Sequence, residues 1–123
     1  MSRTADYRAA LEAIERVLNR GGDADEVLRE VVRILHERVY GWAGILFVDE
    51  GALVLGPEAG THAGASEPSG VPIRFRDTKV AELVVDPHGG DAEEQAFLER
   101  VATIVSPYCL VGWDTGGVPW SAL

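Results

Sequence analysis

Apolar residues recur at spacings of three and four from the start of the chain: Tyr7, Ala10, Leu11, Ile14, Val17 and Leu18. That spacing draws one apolar stripe along a helix over residues 4–20. Gly21-Gly22 ends it, because glycine reaches the left-handed backbone that a helix stop needs. Asp23 stands where it can cap a second helix, and Glu26 completes a capping box. This helix runs to about Val39 and buries Val27, Leu28, Val31, Leu35 and Val39, while Val32 and Ile34 widen its face to meet two neighbours.

The period then changes to two. Trp42 to Val48 (WAGILFV) is too apolar for a strand with one wet face, so it predicts a central strand covered on both sides. Asp49-Glu50-Gly51-Ala52 is a turn, and Leu53 to Leu55 returns as its hairpin partner. Residues 56–70 show no periodicity and are rich in glycine, proline and alanine. They predict a long loop, a kind of segment that is often functional. Val71 to Phe75 and Lys79 to Asp86 form a second strand pair around Arg76-Asp77-Thr78. Pro87-His88-Gly89-Gly90 breaks the pattern, and Asp91 with Glu94 starts a closing helix over 91–111. Its apolar face is Phe97, Val101, Ile104, Val105 and Tyr108, and Pro107 ends its regular part. The tail 112–123 carries Trp113 and Trp120, which are expected to pack back onto the domain.

The units are thus a helical pair at 4–39, strands over 42–86, a closing helix and a tail, all in one domain. Short turns make the sheet antiparallel, with helices on one face. The fold class is α+β, with about four to five strands.

Composition adds exclusions. The 123 residues suit one domain and one core. A single cysteine, Cys109, excludes an internal disulfide and a multi-cysteine zinc site. The net charge of −9 argues against nucleic-acid binding. Residues 1–40 hold seven arginines and eight acids, net −1, so the remaining −8 lies after residue 40. No apolar run reaches the length of a membrane span. The start Met1-Ser2-Arg3-Thr4-Ala5-Asp6 is not a secretory signal, so the expected location is the cytoplasm, where a lone thiol is ordinary.

The order helix, helix, hairpin, loop, hairpin, helix resembles the GAF domain. Trp42-Ala43-Gly44-Ile45-Leu46-Phe47-Val48-Asp49, followed by Leu53-Val54-Leu55-Gly56-Pro57, is similar to the first hairpin of the free methionine-R-sulfoxide reductase branch. Val71 to Phe75 and Val80 to Asp86 resemble the last two strands, and Asp91 to Val105 the closing helix. The resemblance implies first and last helices packed on one face of an antiparallel sheet and a ligand pocket on the other. In the reductases a tryptophan matching Trp42 helps wall that pocket. Laid along the same pattern, Gly64 stands where the reductase loop has its cysteine, the two further cysteine segments are missing, and the middle section that roofs the pocket is absent. Sulfoxide reduction needs an attacking thiolate and a resolving thiol, and one cysteine cannot supply both. No catalytic residue, metal ligand or cofactor is therefore expected.

Cys109, between Tyr108 and Leu110, reads as a buried structural thiol. His36 is expected on the helix surface and His88 in a turn. A hydrolytic set drawn from His62, Ser66 and the nearby acids lacks the G-x-S-x-G elbow. The loop glycines form no phosphate cradle, having no G-x-x-x-x-G-K-[ST] run. The candidate ligand-binding residues are Tyr40, Trp42, Glu58 and His62. Helix pairing implies a homodimer, with Tyr7, Leu11, Ile14, Leu18, Val101, Ile104 and Tyr108 as candidate interface residues. The leading expectation is a non-catalytic regulatory or sensory domain for a small ligand or partner protein. The alternatives are an enzyme with a residual pocket, and an acidic interaction module without a ligand.

Overall fold

In a computed structural model of the chain, the described residues are 4–61, 69–86 and 90–109. In chain order they form α1 (Thr4–Arg20), α2 (Ala24–Arg38), β1 (Trp42–Asp49), β2 (Ala52–Gly60), β3 (Ser69–Phe75), β4 (Thr78–Asp86), α3 (Ala92–Val105) and a 3-10 turn, Ser106–Cys109. The tail tryptophans, His62 and His88 lie outside the described residues.

The strands make one four-stranded sheet in the order β2-β1-β4-β3, with every neighbouring pair antiparallel. β1 is central, as its apolar run predicts. Both hairpins close through two-residue turns, Glu50-Gly51 and Arg76-Asp77, all four residues having positive φ. That backbone matches the right-handed twist of the flanking strands.

The expected loop at 56–70 is shorter than its composition suggests. β2 continues through Leu55-Gly56-Pro57-Glu58 to Gly60. Its register slips between Gly44 and Leu46 of β1: Gly44 faces Glu58, whereas Leu46 faces Leu55. Gly56 and Pro57 together therefore oppose Ile45 alone, a β-bulge. A proline at an irregular edge position costs little because no ladder donor is needed there. Gly56 is required by space: a Cβ on it would lie 2.2 Å from Phe47 Cε2. The residues that read as loop are thus those of a bulged edge strand.

Alternation along β1 sorts the sheet into two faces. Ala43, Ile45 and Phe47 join Val71, Ile73, Ala81, Leu83 and Val85 in the core beneath the helices. Here α2 lies against β1 and β2, and α3 lies against β3 and β4. α1 packs on α2 and α3, where the Tyr7 and Phe97 rings stack at 4.7 Å. Each fully buried Leu, Ile or Phe contributes about 1.5–3 kcal/mol, so this single layer of contacts holds the domain together.

The two helix starts differ. Asp91 accepts a 2.8 Å hydrogen bond from the Glu94 N–H, so its side chain caps α3. Asp23 occupies the same position on α2 but its side chain makes no capping bond. The expected capping box is not formed there. α2 is held instead by its buried face and by exposed pairs such as Arg29–Asp25 at 3.0 Å. α3 ends at Val105 and tightens to a 3-10 turn through Pro107.

Candidate functional site

The face of the sheet away from the helices begins at Trp42. Cross-strand partners project to the same face, so Trp42 shares it with Asp86 of β4 and Gly60 of β2. Two residues along, Gly44 is opposite Glu58 and Val84. The Trp42 indole N–H donates a 2.9 Å hydrogen bond to Glu58 Oε1. The ring lies over Gly44, where a Cβ would approach Trp42 Cζ2 to 2.7 Å. Glycine at this position therefore lets the indole lie flat on the strand. Trp42 is 6% exposed and Asp86 is 9% exposed.

Two of the expected ligand residues, Trp42 and Glu58, are thus in direct contact. Tyr40 is not with them. It turns into the helix layer, where its hydroxyl donates a 2.8 Å hydrogen bond to Glu94. Asp86, absent from the expected set, stands directly across from Trp42. The sequence carried no local signal for this, because the pairing comes from the register between β1 and β4, which are far apart in the chain.

The chemistry available here is acceptance of positive charge. The Glu58 carboxylate touches the indole and Asp86 is its partner across the strand, and carboxylates bind cationic donors through strong charge-assisted hydrogen bonds. Tryptophan offers the best aromatic face for a cation. Among the described residues no group of three metal-ligating side chains is assembled. His36, expected on the surface, is half-buried. Its Nδ1 lies 3.1 Å from the Tyr40 carbonyl oxygen, and its ring sits under Gly60. It is therefore not paired with a hydroxyl or thiol nucleophile.

Cys109 is fully buried in the core. Burial pushes its thiol up to about 12, so the nucleophilic thiolate is essentially unformed at neutral pH. The sulfur belongs to the helix-side core, across the sheet from the Trp42 indole.

The expected interface residues divide into two groups. Tyr7, Ile14 and Val101 are buried inside the protomer core, whereas Leu11, Leu18, Ile104 and Tyr108 pack against it and remain half-exposed. Among the described residues no helix is long and apolar enough to cross a membrane.

No protein-family model matches the chain, and no curated protein matches it. Solved structures do match its fold. The GAF domain of a phosphoenolpyruvate-protein phosphotransferase from Coxiella burnetii superposes with a TM-score of 0.71 at 17% identity, over 87% of this chain and 94% of that one. The GAF domain of the corresponding Acinetobacter protein gives 0.67 at 13% identity, over 89% and 94%. A type II free methionine-R-sulfoxide reductase from Thermoplasma acidophilum gives 0.54 at 16% identity, over 72% and 96%. At these identities the likeness is one of fold. The chain has the GAF fold, an α+β architecture.

Proposed function

We propose that this protein is a non-catalytic regulatory domain that binds a small cationic ligand in an enclosed site at the Trp42 end of the sheet face away from its helices. The observation that carries this reading is the Trp42–Glu58 hydrogen bond with Asp86 across the strand. An ammonium group placed beside the indole meets the Glu58 carboxylate and an aromatic face at once. The burial of Cys109 supports the non-catalytic part: a thiol raised to about 12 and held on the helix side is poorly placed to attack a bound sulfoxide. The lone buried thiol is also in keeping with a cytoplasmic location.

Titration calorimetry with a panel of primary and quaternary ammonium compounds, and matched carboxylic acids as controls, tests the reading. Ammonium compounds are expected to bind and the acids are not. Trp42→Ala removes the aromatic wall. Glu58→Gln removes one charge and weakens binding about tenfold, a loss of about 1.4 kcal/mol. Gly44→Ala leaves both side chains in place but lifts the indole from the strand, and it also weakens binding. Affinity unmoved by all three substitutions sinks the proposal.

The protein is further proposed to act as a homodimer through α1 and α3, using Leu11, Leu18, Ile104 and Tyr108. Tyr7, Ile14 and Val101 hold the protomer itself together. Support comes from the half-exposed apolar side chains left along these helices. Sedimentation of the Leu11→Arg variant distinguishes the cases: a shift from dimer to monomer is expected, and an unchanged mass excludes this face.

A further inference from the structure

Leu46, Val48, Leu53 and Leu55 share the sheet face away from the helices, and Glu82 beside them is already paired with Lys79. The apolar groove between α1 and α3 differs in carrying unpaired cations. There the Thr4 hydroxyl donates to Glu93 and the Tyr7 and Phe97 rings stack, so the first turns of the two helices run side by side. A groove of about 310 Å³ follows that seam, lined by Tyr7, Arg8, Leu11, Ala96, Phe97 and Arg100, with Thr4 and Glu93 at one end.

The floor of the groove is apolar and firm. Tyr7 and Phe97 are 5% and 6% exposed, and their stacked rings are locked by the core beneath. Leu11 is half-buried on one wall. Ala96 on the other ends at its β-carbon, which leaves the space above the rings open. The volume stands at the lower end of small-molecule sites, about 300–1,000 Å³.

Charge selects the occupant. Among the described residues the charged side chains lining the groove are Arg8, Arg100 and Glu93. Neither arginine is ion-paired among the described residues, and both are exposed. Glu93 accepts the Thr4 hydroxyl, and the nearby Glu12 is paired with Arg16. Two guanidiniums and one carboxylate leave a single net positive charge, in a chain whose total is −9. One carboxylate balances it, and arginine matches a carboxylate through two parallel hydrogen bonds. A dianion such as a phosphate monoester brings a second negative charge to the Glu93 end. A second copy of the chain is a poor occupant, because an isologous contact sets this surface against itself and brings four guanidiniums together. The proposed dimer residues Leu18, Ile104 and Tyr108 lie towards the other ends of these helices, and only Leu11 is shared.

We infer that the α1–α3 groove is a binding site for a small apolar monocarboxylate. The apolar body lies over Tyr7 and Phe97 between Leu11 and Ala96, and the carboxylate is held by Arg8 and Arg100. The arginine stems lie along the apolar walls, and their heads close over the anion. This site is on the helix side of the sheet, whereas Trp42 is on the other, so neither reading depends on the other.

Three probes that share one ring system test this on the full chain: 2-naphthoate, 2-naphthalenemethanol and 2-naphthylmethylamine. Calorimetry is expected to show naphthoate binding at least about tenfold more tightly than the alcohol, a difference of about 1.4 kcal/mol, with the amine weakest. The naphthoate preference should shrink as salt rises. Methyl resonances of Leu11 and Ala96 are expected to shift on binding. Arg8→Gln with Arg100→Gln changes only exposed side chains and should make acid and alcohol equal. Ala96→Phe fills the groove from an exposed position and should abolish binding while the circular dichroism spectrum is unchanged. Equal affinity of the parent chain for acid and alcohol overturns the inference, as do shifts centred on Leu53 and Leu55 or binding that survives the arginine substitutions. Naphthoate binding that falls as protein concentration rises assigns the groove to a second copy and overturns it too. So does binding seen only after Trp113→Ala with Trp120→Ala, which assigns the groove to the chain's own tail.

Discussion

The Tyr40 hydroxyl donates a 2.8 Å hydrogen bond to Glu94 Oε2 across 54 residues of chain, inside the core. Glu94 is 0% exposed, and its other oxygen accepts a 2.7 Å bond from the Gly90 N–H. A buried carboxylate is costly unless its lone pairs are met, and these two donors meet it. The pair ties the entry to β1 to the start of α3, and so holds the end of the sheet where Trp42 begins.

Removing the phenol oxygen leaves the carboxylate short of one donor. Tyr40→Phe should destabilise the fold by about 1.5–3 kcal/mol, as for hydrogen bonds to charged acceptors. Urea unfolding measures it. A loss below about 0.5 kcal/mol, the size of an ordinary surface change, would mean that the bond contributes little.

Gly56 is a matter of space. A Cβ there sits 2.2 Å from Phe47 Cε2 and 3.1 Å from the Ile45 carbonyl oxygen. Gly56→Ala should cost about 1–3 kcal/mol, the range for overpacking. Phe47→Leu in the same chain should recover part of the loss, because the two sites share the clash. Strictly additive effects in the double variant would contradict this account.

The β3–β4 turn holds Arg76 at φ 51° and Asp77 at φ 66°. A non-glycine residue pays about 1–2 kcal/mol for that conformation, and glycine returns about 0.5–1 kcal/mol as entropy. Asp77→Gly should therefore raise stability by roughly 0.5–1 kcal/mol. A lowered thermal midpoint would show that Asp77 makes a contact worth more than the strain.

The Cys109 thiol is raised by burial from 9.0 to about 12. In the unfolded chain it ionises near its ordinary value, so between these limits the unfolded state has lost a proton that the folded state keeps. Its contribution is complete below about pH 9 and is lost as pH rises towards 12. Cys109→Ala should show a shallower fall in stability above pH 9.0 than the parent chain. Parallel curves for the two proteins would mean that the thiol is exposed in the folded state. Thiol-specific labelling of the parent chain should likewise be slow until it is denatured.

Much of the architecture was legible in the one-dimensional pattern because each element carries its own period. The limits of α1 follow from the stripe beginning at Tyr7 and the Gly21-Gly22 stop. The two hairpins follow from alternating runs around turn residues. Glu58 to Gly60 were not legible as strand, because a bulge interrupts alternation at Gly56–Pro57 and glycine and proline ordinarily mark loops. The difference between Asp23 and Asp91 was also hidden: identical spacing to a glutamate produces a side-chain cap in α3 and none in α2.

The sequence by itself determined the elements, their antiparallel pairing and the absence of a multi-cysteine centre, since these depend on local periodicity and on which residue types are present. Tertiary structure decided which residues meet. Register placed Asp86 opposite Trp42, and strand pleat placed four leucine and valine side chains on the face away from the helices. Packing drew Tyr40 away from the site towards Glu94. Such contacts depend on distances between segments far apart in the chain, and no local pattern encodes them.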